Sequence, residues 1–326
     1  MKEALYYQPH EKGVACLLCP KACVISEGKR GFCRVRTNIG GKLYTANYAA
    51  CTACALDPIE KKPLYHFYPG SSILSIGTWG CNFACQFCQN WQIAQAEPQE
   101  AELFPAQAVA AAKQAGSGNI GIAYTYSEPS VWYEYVLETA CLARQAGLKN
   151  VVVTNGFINP EPLTQLLPFI DAMNIDVKAF SQKFYRTICA GSLAEVQRTV
   201  ELAVKHCHVE ITTLVVPGLN DDLRELEALT KWLSSMDRNI PLHLSRYFPQ
   251  YKLNVPPTPL STLEAARDIA RQYLNYVYLG NAGSSGSDTL CPACGALVIS
   301  RGARVAIHLT AAKTCQSCGN KIAVIL

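Results

Sequence analysis

The sequence lacks long apolar runs and a strong net charge. No segment of its 326 residues approaches the roughly 18 continuous apolar residues of a membrane-spanning helix. The first residues, MKEALYYQPHEKG, contain no apolar stretch of the kind found in signal peptides. We therefore expect a cytoplasmic protein with no membrane partner. The formal charge of +4 is small for this length and makes nucleic acid an unexpected partner.

Charged residues are also scarce, at 17%, while apolar residues make up 49% of the chain. This composition is typical of a globular protein and excludes a largely disordered one. The length suffices for one large core with appendages, or for two domains.

Cysteine, in contrast, is abundant, with 16 residues. In a reducing compartment, clustered cysteines indicate metal ligands rather than disulfides. Three residues that stand alone, Cys141, Cys189 and Cys207, are predicted to be small buried side chains. The other 13 fall into four groups: Cys16, Cys19, Cys23 and Cys33; Cys51 and Cys54; Cys81, Cys85 and Cys88; and Cys291, Cys294, Cys315 and Cys318.

The middle of the chain alternates between predicted strands and predicted helices about six times. This order predicts an α/β fold with right-handed crossovers and a parallel sheet, as a partial (β/α)6 TIM-like barrel over residues 71–283. Residues 1–70 form a predicted Cys-rich N-terminal lobe with little periodicity. Residues 284–326 begin with the linker-like run SSGSD and form a predicted C-terminal module with four cysteines.

Polar segments follow the predicted strands where an active site would lie in such a barrel. Because the carboxyl ends of parallel strands share one edge, these segments should form a single rim. The segments are Cys81–Cys88, Ser127–Pro129, Thr154–Gly156, Asp176–Lys178, Pro217–Asp221, His243–Arg246 and Gly280–Gly283.

The stretch GCNFACQFCQNW, residues 80–91, places three thiols within eight residues. Three thiolates can hold three irons of a [4Fe–4S] cluster and leave the fourth iron open for a reacting ligand. The alternatives are a zinc site, which needs a fourth ligand nearby, and a coincidental group of cysteines.

This CxxxCxxC pattern, with Phe87 before its last cysteine, resembles the radical S-adenosylmethionine (radical SAM) superfamily. The resemblance implies that Cys81, Cys85 and Cys88 bind the catalytic cluster. S-adenosylmethionine then occupies the fourth iron and is cleaved reductively to a 5′-deoxyadenosyl radical, which abstracts hydrogen from a substrate.

The resemblance also implies residues that contact the cofactor. Ser127 and Glu128, in YTYSEP, would hold the methionyl amino group, although the glycines usual in this family segment are absent. The further contacts implied are Phe87, Thr154, Asn155, Asp176, Lys178, Val216 and Asn220. For each of these residues the alternative role is that of an ordinary turn or helix cap.

Longer stretches, including CLLCPKACVISEGKRGFC, SRYFPQYKL and CPACG with CQSCG, resemble the AmmeMemoRadiSam system radical SAM enzymes, which are relatives of pyruvate formate-lyase activating enzymes. This implies gene-linked partner proteins, an electron donor such as flavodoxin or ferredoxin, and a protein, peptide or small-molecule substrate. Two alternatives stay open: a glycyl-radical-enzyme activating enzyme, and a non-catalytic electron-transfer or regulatory protein.

The outer cysteine groups predict further metal sites. Cys291, Cys294, Cys315 and Cys318 form two CxxCG pairs, which favours a closed Zn²⁺ site in a zinc-ribbon-like module. A rubredoxin-like iron site is the alternative. Cys16, Cys19, Cys23 and Cys33 indicate a metal of open identity, either zinc or a second iron–sulfur cluster, or else a redox pair. The sequence leaves the role of Cys51 and Cys54 undecided.

Four residues outside these groups are candidates for the substrate side of the cavity. His66 precedes the first barrel strand, and His243, Arg246 and Lys252 follow or end the sixth. Each of the four either faces the cavity or has a structural role.

Overall fold

The structure is a computed structural model that describes residues 1–283 and 286–326. Ser284 and Ser285, in the predicted linker-like run, lie outside the described residues. The N-terminal lobe contains short antiparallel strands: β1 (Lys2–Glu3), β2 (Tyr7–His10), β3 (Gly13–Cys16), β4 (Val24–Ile25), β5 (Arg36–Ile39), β6 (Lys42–Thr45) and β7 (Ala50–Cys51). β2, β3 and β4 form one three-stranded sheet, and β1, β6 and β5 form another.

The centre of the molecule is an eight-stranded, mainly parallel sheet. Its strands are β8 (Ala53–Pro58), β9 (Ser72–Gly77), β11 (Asn119–Tyr124), β12 (Lys149–Thr154), β13 (Ala172–Asp176), β14 (His208–Val215), β15 (Leu242–Arg246) and β16 (Val277–Gly280), and the separate β10 (Ala101–Glu102) pairs with β7. The order is β16-β15-β14-β13-β12-β11-β9-β8, and β8 alone is antiparallel to its neighbour. The predicted α/β class and parallel sheet are thus confirmed. Among the described residues the sheet is open, with no pairing between β8 and β16.

Helices connect the parallel strands, as the sequence alternation predicts. They are α1 (Trp91–Ala94), α2 (Pro105–Gln114), α3 (Tyr133–Gln145), α4 (Pro160–Leu166), α5 (Gln182–Phe184), α6 (Leu193–Ala203), α7 (Leu223–Met236) and α8 (Leu260–Ala270), with short 3-10 turns at Ile59–Lys61, Pro129–Trp132 and Leu167–Phe169 and a π turn at Tyr185–Cys189. In α6 the residues Leu193, Val196, Val200 and Ala203 are buried at helical spacing, which gives one apolar face toward the sheet.

The central strands are buried on both faces because helices and the N-terminal lobe cover them. In β9, five of the six residues of SILSIG are buried, and Val151 and Val152 in β12 are also buried. Continuous apolar strands of this kind are typical of parallel sheets. The parallel register places Tyr124 beside Ile76, Thr154 beside Ile175 and Asp176 beside Thr212, so the carboxyl ends share one edge.

The C-terminal module is a three-stranded antiparallel sheet of β17 (Thr289–Leu290), β18 (Leu297–Arg301) and β19 (Val305–Ile307). Its last residues return to the central body, where the backbone N–H of Tyr68 donates to the carbonyl of Ile325 at 2.8 Å. The β8 strand lies within residues 1–70 but pairs with β9, so the lobe and the central sheet share strands. The domain boundaries at residues 70 and 283 stay predictions. In the described part of the chain, no helix is both long and apolar enough to cross a membrane.

Candidate active site and metal centres

The three-thiol loop, residues 80–88, follows the carboxyl end of β9. It begins at Gly80, whose φ of +92° is a conformation that glycine adopts readily. The loop is held from one side by the π turn, because the N–H groups of Ala84 and Gln86 donate to the carbonyls of Cys189 and Ile188 at 2.9 and 3.1 Å. These backbone hydrogen bonds hold the middle of the three-thiol loop against the π turn.

The thiols of the loop lie in a buried environment. Burial, followed by the neighbouring Glu128 carboxylate, raises the pKa of Cys81 well above its usual range. A hydrogen bond with Cys189 and burial do the same to the pKa of Cys85. The N–H of Phe83 donates to the Cys81 sulfur at 3.3 Å. Since a coordinating thiol is deprotonated by its metal, these thiols suit a metal centre better than a free nucleophile.

A cavity of about 410 Å³ opens beside the loop, and we call it the strand-end cavity. Its walls come from the carboxyl ends of all seven parallel strands or the loops after them. In chain order, strand by strand, the lining includes Cys81, Cys85, Phe87 and Cys88; Ser127 and Glu128; Thr154 and Asn155; Asp176 and Lys178; Thr212 and Leu214; Ser245; and Asn281. The structure thus brings together the predicted rim segments, with Thr212 and Leu214 of β14 in place of the segment Pro217–Asp221.

Glu128 is almost completely buried in the wall of this cavity. Its carboxylate accepts hydrogen bonds from the Ser130 N–H at 2.9 Å, the Thr154 hydroxyl at 2.6 Å and the Asn155 N–H at 2.8 Å. Burial raises the pKa of Glu128, and these hydrogen bonds oppose the rise. Glu128 therefore caps the turn Pro129–Trp132 and lines the cavity at the same time.

Ser127 and Asn155 flank Glu128 in the cavity wall. The hydroxyl of Ser127 is buried and has no hydrogen-bond partner, which is costly unless a ligand supplies one. The side-chain amide of Asn155 donates to the Asn82 side chain at 2.9 Å and lies 3.6 Å from the Cys81 sulfur. These two residues provide polar groups on the side of the cavity next to the thiols.

Asp176 and Lys178, at the end of the neighbouring strand β13, form a partly buried ion pair of 2.7 Å. Burial lowers the pKa of Lys178, but the charge of Asp176 and the nearby Cys85 outweigh burial, so the net pKa is raised. Lys178 is therefore a fixed cation close to the thiols and suits an anionic ligand group.

Val216 and Asn220 do not line the strand-end cavity. Asn220 instead fixes the loop after β14, since it accepts from the Val216 N–H at 2.6 Å and donates to the carbonyls of Lys178 and Leu214 at 2.7 and 2.8 Å. Their implied contact with S-adenosylmethionine stays a prediction.

The four substrate candidates also lie outside the cavity lining. His243 donates to Glu210 at 2.7 Å, and His66 contacts Tyr278 at 2.6 Å within a buried network around Glu210. Arg246 donates to the Thr258 carbonyl at 2.8 Å, and the Lys252 N–H donates to the Gln86 carbonyl at 2.9 Å. All four residues therefore make hydrogen bonds within the protein. The backbone of Lys252 holds the three-thiol loop through Gln86.

Some cavity residues were not among the predicted site residues. Lys62 is buried, forms an ion pair of 2.9 Å with Asp57 and lies over the ring of Tyr126. Lys61, Lys62, Asn90, Tyr126, Ser245 and Asn281 all line the cavity. Ser245 and Asn281 fall within the predicted rim segments, whereas Lys61 and Lys62 were indicated only by the dense polar stretch DPIEKKP before the first parallel strand.

A larger cavity, of about 730 Å³, lies between α6, α7 and the C-terminal residues Ala323–Ile325. Its lining contains one cysteine, Cys207, and none of the three-thiol loop. We place the candidate active site in the smaller of these two cavities because it combines three thiols, the buried Glu128 carboxylate and the partly buried Lys178 cation.

The residues of the strand-end cavity fit a [4Fe–4S] cluster with S-adenosylmethionine. Three buried or partly buried thiols lie at its wall, and in the described chain they do not form a group with all sulfurs within 4.8 Å. A cluster of four irons needs ligands spaced more widely than a single tetrahedral ion does. The unpartnered Ser127 hydroxyl, the Glu128 carboxylate and Lys178 offer partners for the polar groups of an amino acid.

The C-terminal cysteines form a different kind of group. Cys291 and Cys318 sulfurs lie 3.6 Å apart, and Cys294 and Cys315 sulfurs lie 3.7 Å apart. All four ligand atoms lie within 4.8 Å of one another. A tetrahedral site with Zn–S bonds near ~2.3 Å has sulfurs about 3.8 Å apart, so this group matches the size of one metal ion.

The sequence profile of the radical SAM superfamily matches residues 75–232. These residues contain the carboxyl end of β9, the three-thiol loop and the parallel strands β11 to β14. An uncharacterized protein of Methanocaldococcus jannaschii is 44% identical over the full length of both chains. The chain belongs to the radical SAM superfamily. This membership implies an enzyme and confirms the coarser part of the sequence prediction.

A second relative of this radical SAM protein is provisionally named a glycyl-radical enzyme activating enzyme of the same organism. It is 24% identical over 216 residues, which cover 64% of this chain and 80% of the relative. Two solved structures show the same fold at low identity. SuiB of Streptococcus suis bound to S-adenosylmethionine has a TM-score of 0.53, 12% identity and coverage of 65% of this chain and 52% of SuiB. A radical SAM methyltransferase of Sphaerobacter thermophilus has a TM-score of 0.52, 17% identity and coverage of 71% of both chains.

Proposed function

We propose that this radical SAM protein binds a [4Fe–4S] cluster through Cys81, Cys85 and Cys88 and uses it to cleave S-adenosylmethionine. The observation that carries the proposal is the strand-end cavity, where these three thiols meet the buried Glu128 carboxylate and the partly buried Lys178 cation. When bound and reduced, the cluster supplies one electron to S-adenosylmethionine, which yields methionine and a 5′-deoxyadenosyl radical.

The protein residues orient the cofactor and exclude water. Glu128 offsets the positive charge of the methionyl ammonium group, and the free Ser127 hydroxyl supplies an additional hydrogen bond. Lys178 pairs with the carboxylate, while Asp176 keeps that cation charged despite its burial. Thr154 and Asn155 donate hydrogen bonds that hold Glu128 in place, and they form the wall on the ribose side of the cofactor. Phe87 forms the wall beside the thiols. We interpret the open parallel sheet as a partial barrel whose rim carries these groups.

The test is product analysis. The full chain, purified without oxygen and reduced with dithionite, should convert S-adenosylmethionine to 5′-deoxyadenosine and methionine. The variant with Cys81, Cys85 and Cys88 all replaced by Ala should form neither product. A variant with Cys141→Ala, a cysteine outside every group, is the matched control. Product formation by the triple variant would exclude the proposed site, and its absence from the wild type with intact iron would exclude the function.

We place the enzyme among the AmmeMemoRadiSam system radical SAM enzymes, on the motifs that run from residue 16 to residue 319. In that setting the substrate is a protein, peptide or small molecule, the electron donor is a flavodoxin or ferredoxin, and the location is the cytoplasm. The many free cysteines favour such a reducing compartment.

One observation favours a second candidate, a glycyl-radical-enzyme activating enzyme, namely the 24% identical relative with that provisional name. This activity would transfer a hydrogen atom from a glycine of a partner enzyme to the 5′-deoxyadenosyl radical. Incubation with a glycyl radical enzyme encoded near this gene would then give a doublet EPR signal of a glycyl radical. No doublet, with 5′-deoxyadenosine still formed, would exclude this candidate and leave the first.

We also propose that Cys291, Cys294, Cys315 and Cys318 bind one Zn²⁺ as a closed structural site. Their sulfur spacing of 3.6–3.7 Å supports a single tetrahedral ion. X-ray absorption at the zinc edge should show four sulfur ligands near ~2.3 Å, and Cys294→Ser should remove the metal. Iron in place of zinc, or ligation by oxygen and nitrogen, would contradict the assignment.

A further inference from the structure

The N-terminal cysteines converge on one cavity, although they are spread over 18 residues of sequence. Cys16 ends β3, and its N–H donates to the Cys23 carbonyl at 2.9 Å, which closes a hairpin that carries Cys19 in its turn. Cys33 reaches the same place from the loop before β5. All four side chains line a single small cavity together with Leu18, Ile25 and Phe32. The hairpin and the loop thus bring four thiols into a mainly apolar surrounding.

The Cys23 sulfur has a backbone N–H donor, since the N–H of Phe32 donates to it at 3.5 Å. The Cys81 sulfur of the three-thiol loop is held in a similar way by the N–H of Phe83 at 3.3 Å. Such donors stabilise thiolates, and hydrogen bonds to sulfur tune iron–sulfur potentials.

The spacing of these sulfurs does not match one zinc ion. In the described chain, the C-terminal group is the only set of three or more ligands whose atoms all lie within 4.8 Å of one another. The N-terminal sulfurs share a cavity but are more widely spread. One Zn²⁺ would hold its sulfurs about 3.8 Å apart, whereas a cluster of four irons separates its ligands further.

A buried cation without a full set of partners lines the same cavity. Arg36 is 1% exposed and forms an ion pair of 2.9 Å with Glu134, which also accepts a second hydrogen bond from its guanidinium. Its Nε is buried and has no partner. Arg36 interacts electrostatically with Cys16 and Cys33. An unsatisfied N–H donor beside four thiols indicates an anionic acceptor in the cavity.

From these four observations we propose that Cys16, Cys19, Cys23 and Cys33 bind a second [4Fe–4S] cluster. All four irons then carry a cysteine ligand, so this cluster has no open position for a substrate. The site is separate from the strand-end cavity and does not depend on the proposed cleavage of S-adenosylmethionine.

The second cluster lies directly behind the three-thiol loop. A Cβ on Gly80 would stand 2.8 Å from the Cys33 carbonyl oxygen. Asn82 lines the N-terminal cavity and also accepts from Asn155 of the strand-end cavity at 2.9 Å. Lys21 interacts electrostatically with Cys19, Cys23 and Cys81. The two sites therefore share neighbouring residues.

Metal analysis of the full chain tests the proposal. Anaerobically purified wild type should hold about eight iron and about eight sulfide ions per chain, from two [4Fe–4S] clusters. The variant with Cys81, Cys85 and Cys88 replaced by Ala should keep about four iron, with the Mössbauer spectrum of a [4Fe–4S] cluster. Wild type with about four iron and zinc bound to the N-terminal cysteines would overturn the proposal.

A second variant removes two of the proposed N-terminal ligands and leaves the three-thiol loop intact. Cys19→Ser with Cys23→Ser, both partly exposed positions, should hold about four iron and still show the change in EPR signal on addition of S-adenosylmethionine. Cys141→Ser is the matched control and should keep about eight. A double variant that keeps about eight would contradict the proposal. Wild type with about eight iron but no cleavage of S-adenosylmethionine would instead contradict the proposed function alone.

Discussion

Glu128 caps a turn and also lines the strand-end cavity, so two measurements are needed to interpret its substitution. Glu128→Gln replaces one oxygen with an amide group that faces N–H donors of Ser130 and Asn155. We expect a loss of stability of about 1–3 kcal/mol from the broken cap. If Glu128 also binds the ammonium group, S-adenosylmethionine affinity should fall about ten- to a hundred-fold. Denaturant unfolding measures the first effect, and EPR titration of the reduced protein measures the second.

Glu210 provides the matched control for this substitution. It is a buried carboxylate that accepts from the N–H groups of Tyr65 and His66 at 3.0 and 2.7 Å and does not line the strand-end cavity. Glu210→Gln should reduce stability by a similar amount and leave S-adenosylmethionine affinity unchanged. Equal affinities in wild type, Glu128→Gln and Glu210→Gln would show that Glu128 is a cap and not a cofactor ligand.

Individual site residues differed in how far the sequence could predict them. The spacing of Cys81, Cys85 and Cys88 was enough to identify their site, because residues of one short loop lie close together whatever the rest of the fold. Lys62 gave no comparable signal, because its place in the cavity depends on the ion pair with Asp57 from an antiparallel edge strand. In the sequence, His66 and His243 were candidates for either the substrate side of the cavity or a structural role, and only the fold shows that Glu210 and Tyr278 surround them.

At the scale of elements, Gly80 joins β9 to the three-thiol loop under tight constraints. A Cβ at this position would lie 2.6 Å from the Val35 side chain and 2.8 Å from the Cys33 carbonyl, and φ is +92°. Gly80→Ala must therefore move the loop or the N-terminal lobe. We expect a stability loss of about 2–4 kcal/mol and a clear reduction in bound iron.

Gly218 separates the contribution of backbone strain from that of contact. Its φ is +71°, but nothing lies within 4 Å of a Cβ built there. Gly218→Ala should cost about 1 kcal/mol and leave the iron content unchanged. If Gly80→Ala behaved like Gly218→Ala, the close packing of the lobe on the loop would be wrong.

Long strands and helices with a regular hydrophobic period were the easiest elements to predict from the sequence. The strands β11 to β16 and the helices α2, α3, α6, α7 and α8 follow from apolar runs and helical spacing. The N-terminal strands did not, since they are two to four residues long and bury polar side chains such as Arg36. Helical spacing also does not reveal where α3 begins, because Glu128 caps a 3-10 turn before the helix begins at Tyr133.

At the scale of the whole molecule, a buried histidine connects the C-terminal tail to the central sheet. The Nδ1–H of His66 donates to the Ala323 carbonyl at 2.5 Å, because a carbonyl can only accept, and Nε2 then accepts from the Tyr278 hydroxyl at 2.6 Å. Burial lowers the pKa of His66 to about 4. The folded protein therefore keeps this ring neutral at pH values where the unfolded chain protonates it.

This arrangement predicts the direction of a pH effect. Above pH 6.5, the usual pKa of histidine, the stability from neutral His66 is complete, and it is lost as the pH falls toward about 4. The full loss is about 3 kcal/mol. Urea unfolding from pH 7 to pH 4.5 should show the decline, and His66→Asn should flatten it while the exposed His10→Asn does not. An unchanged slope in His66→Asn would contradict this assignment.

The central claim is that three thiolates leave one iron of the active-site cluster open to S-adenosylmethionine. The most direct measurement is the EPR spectrum of the dithionite-reduced full chain, recorded before and after addition of S-adenosylmethionine. We expect a [4Fe–4S] signal whose g values shift on addition of the cofactor, and the triple Cys81, Cys85 and Cys88 to Ala variant should lack the shift. A wild-type spectrum that S-adenosylmethionine leaves unchanged, in protein with full iron content, would contradict the account.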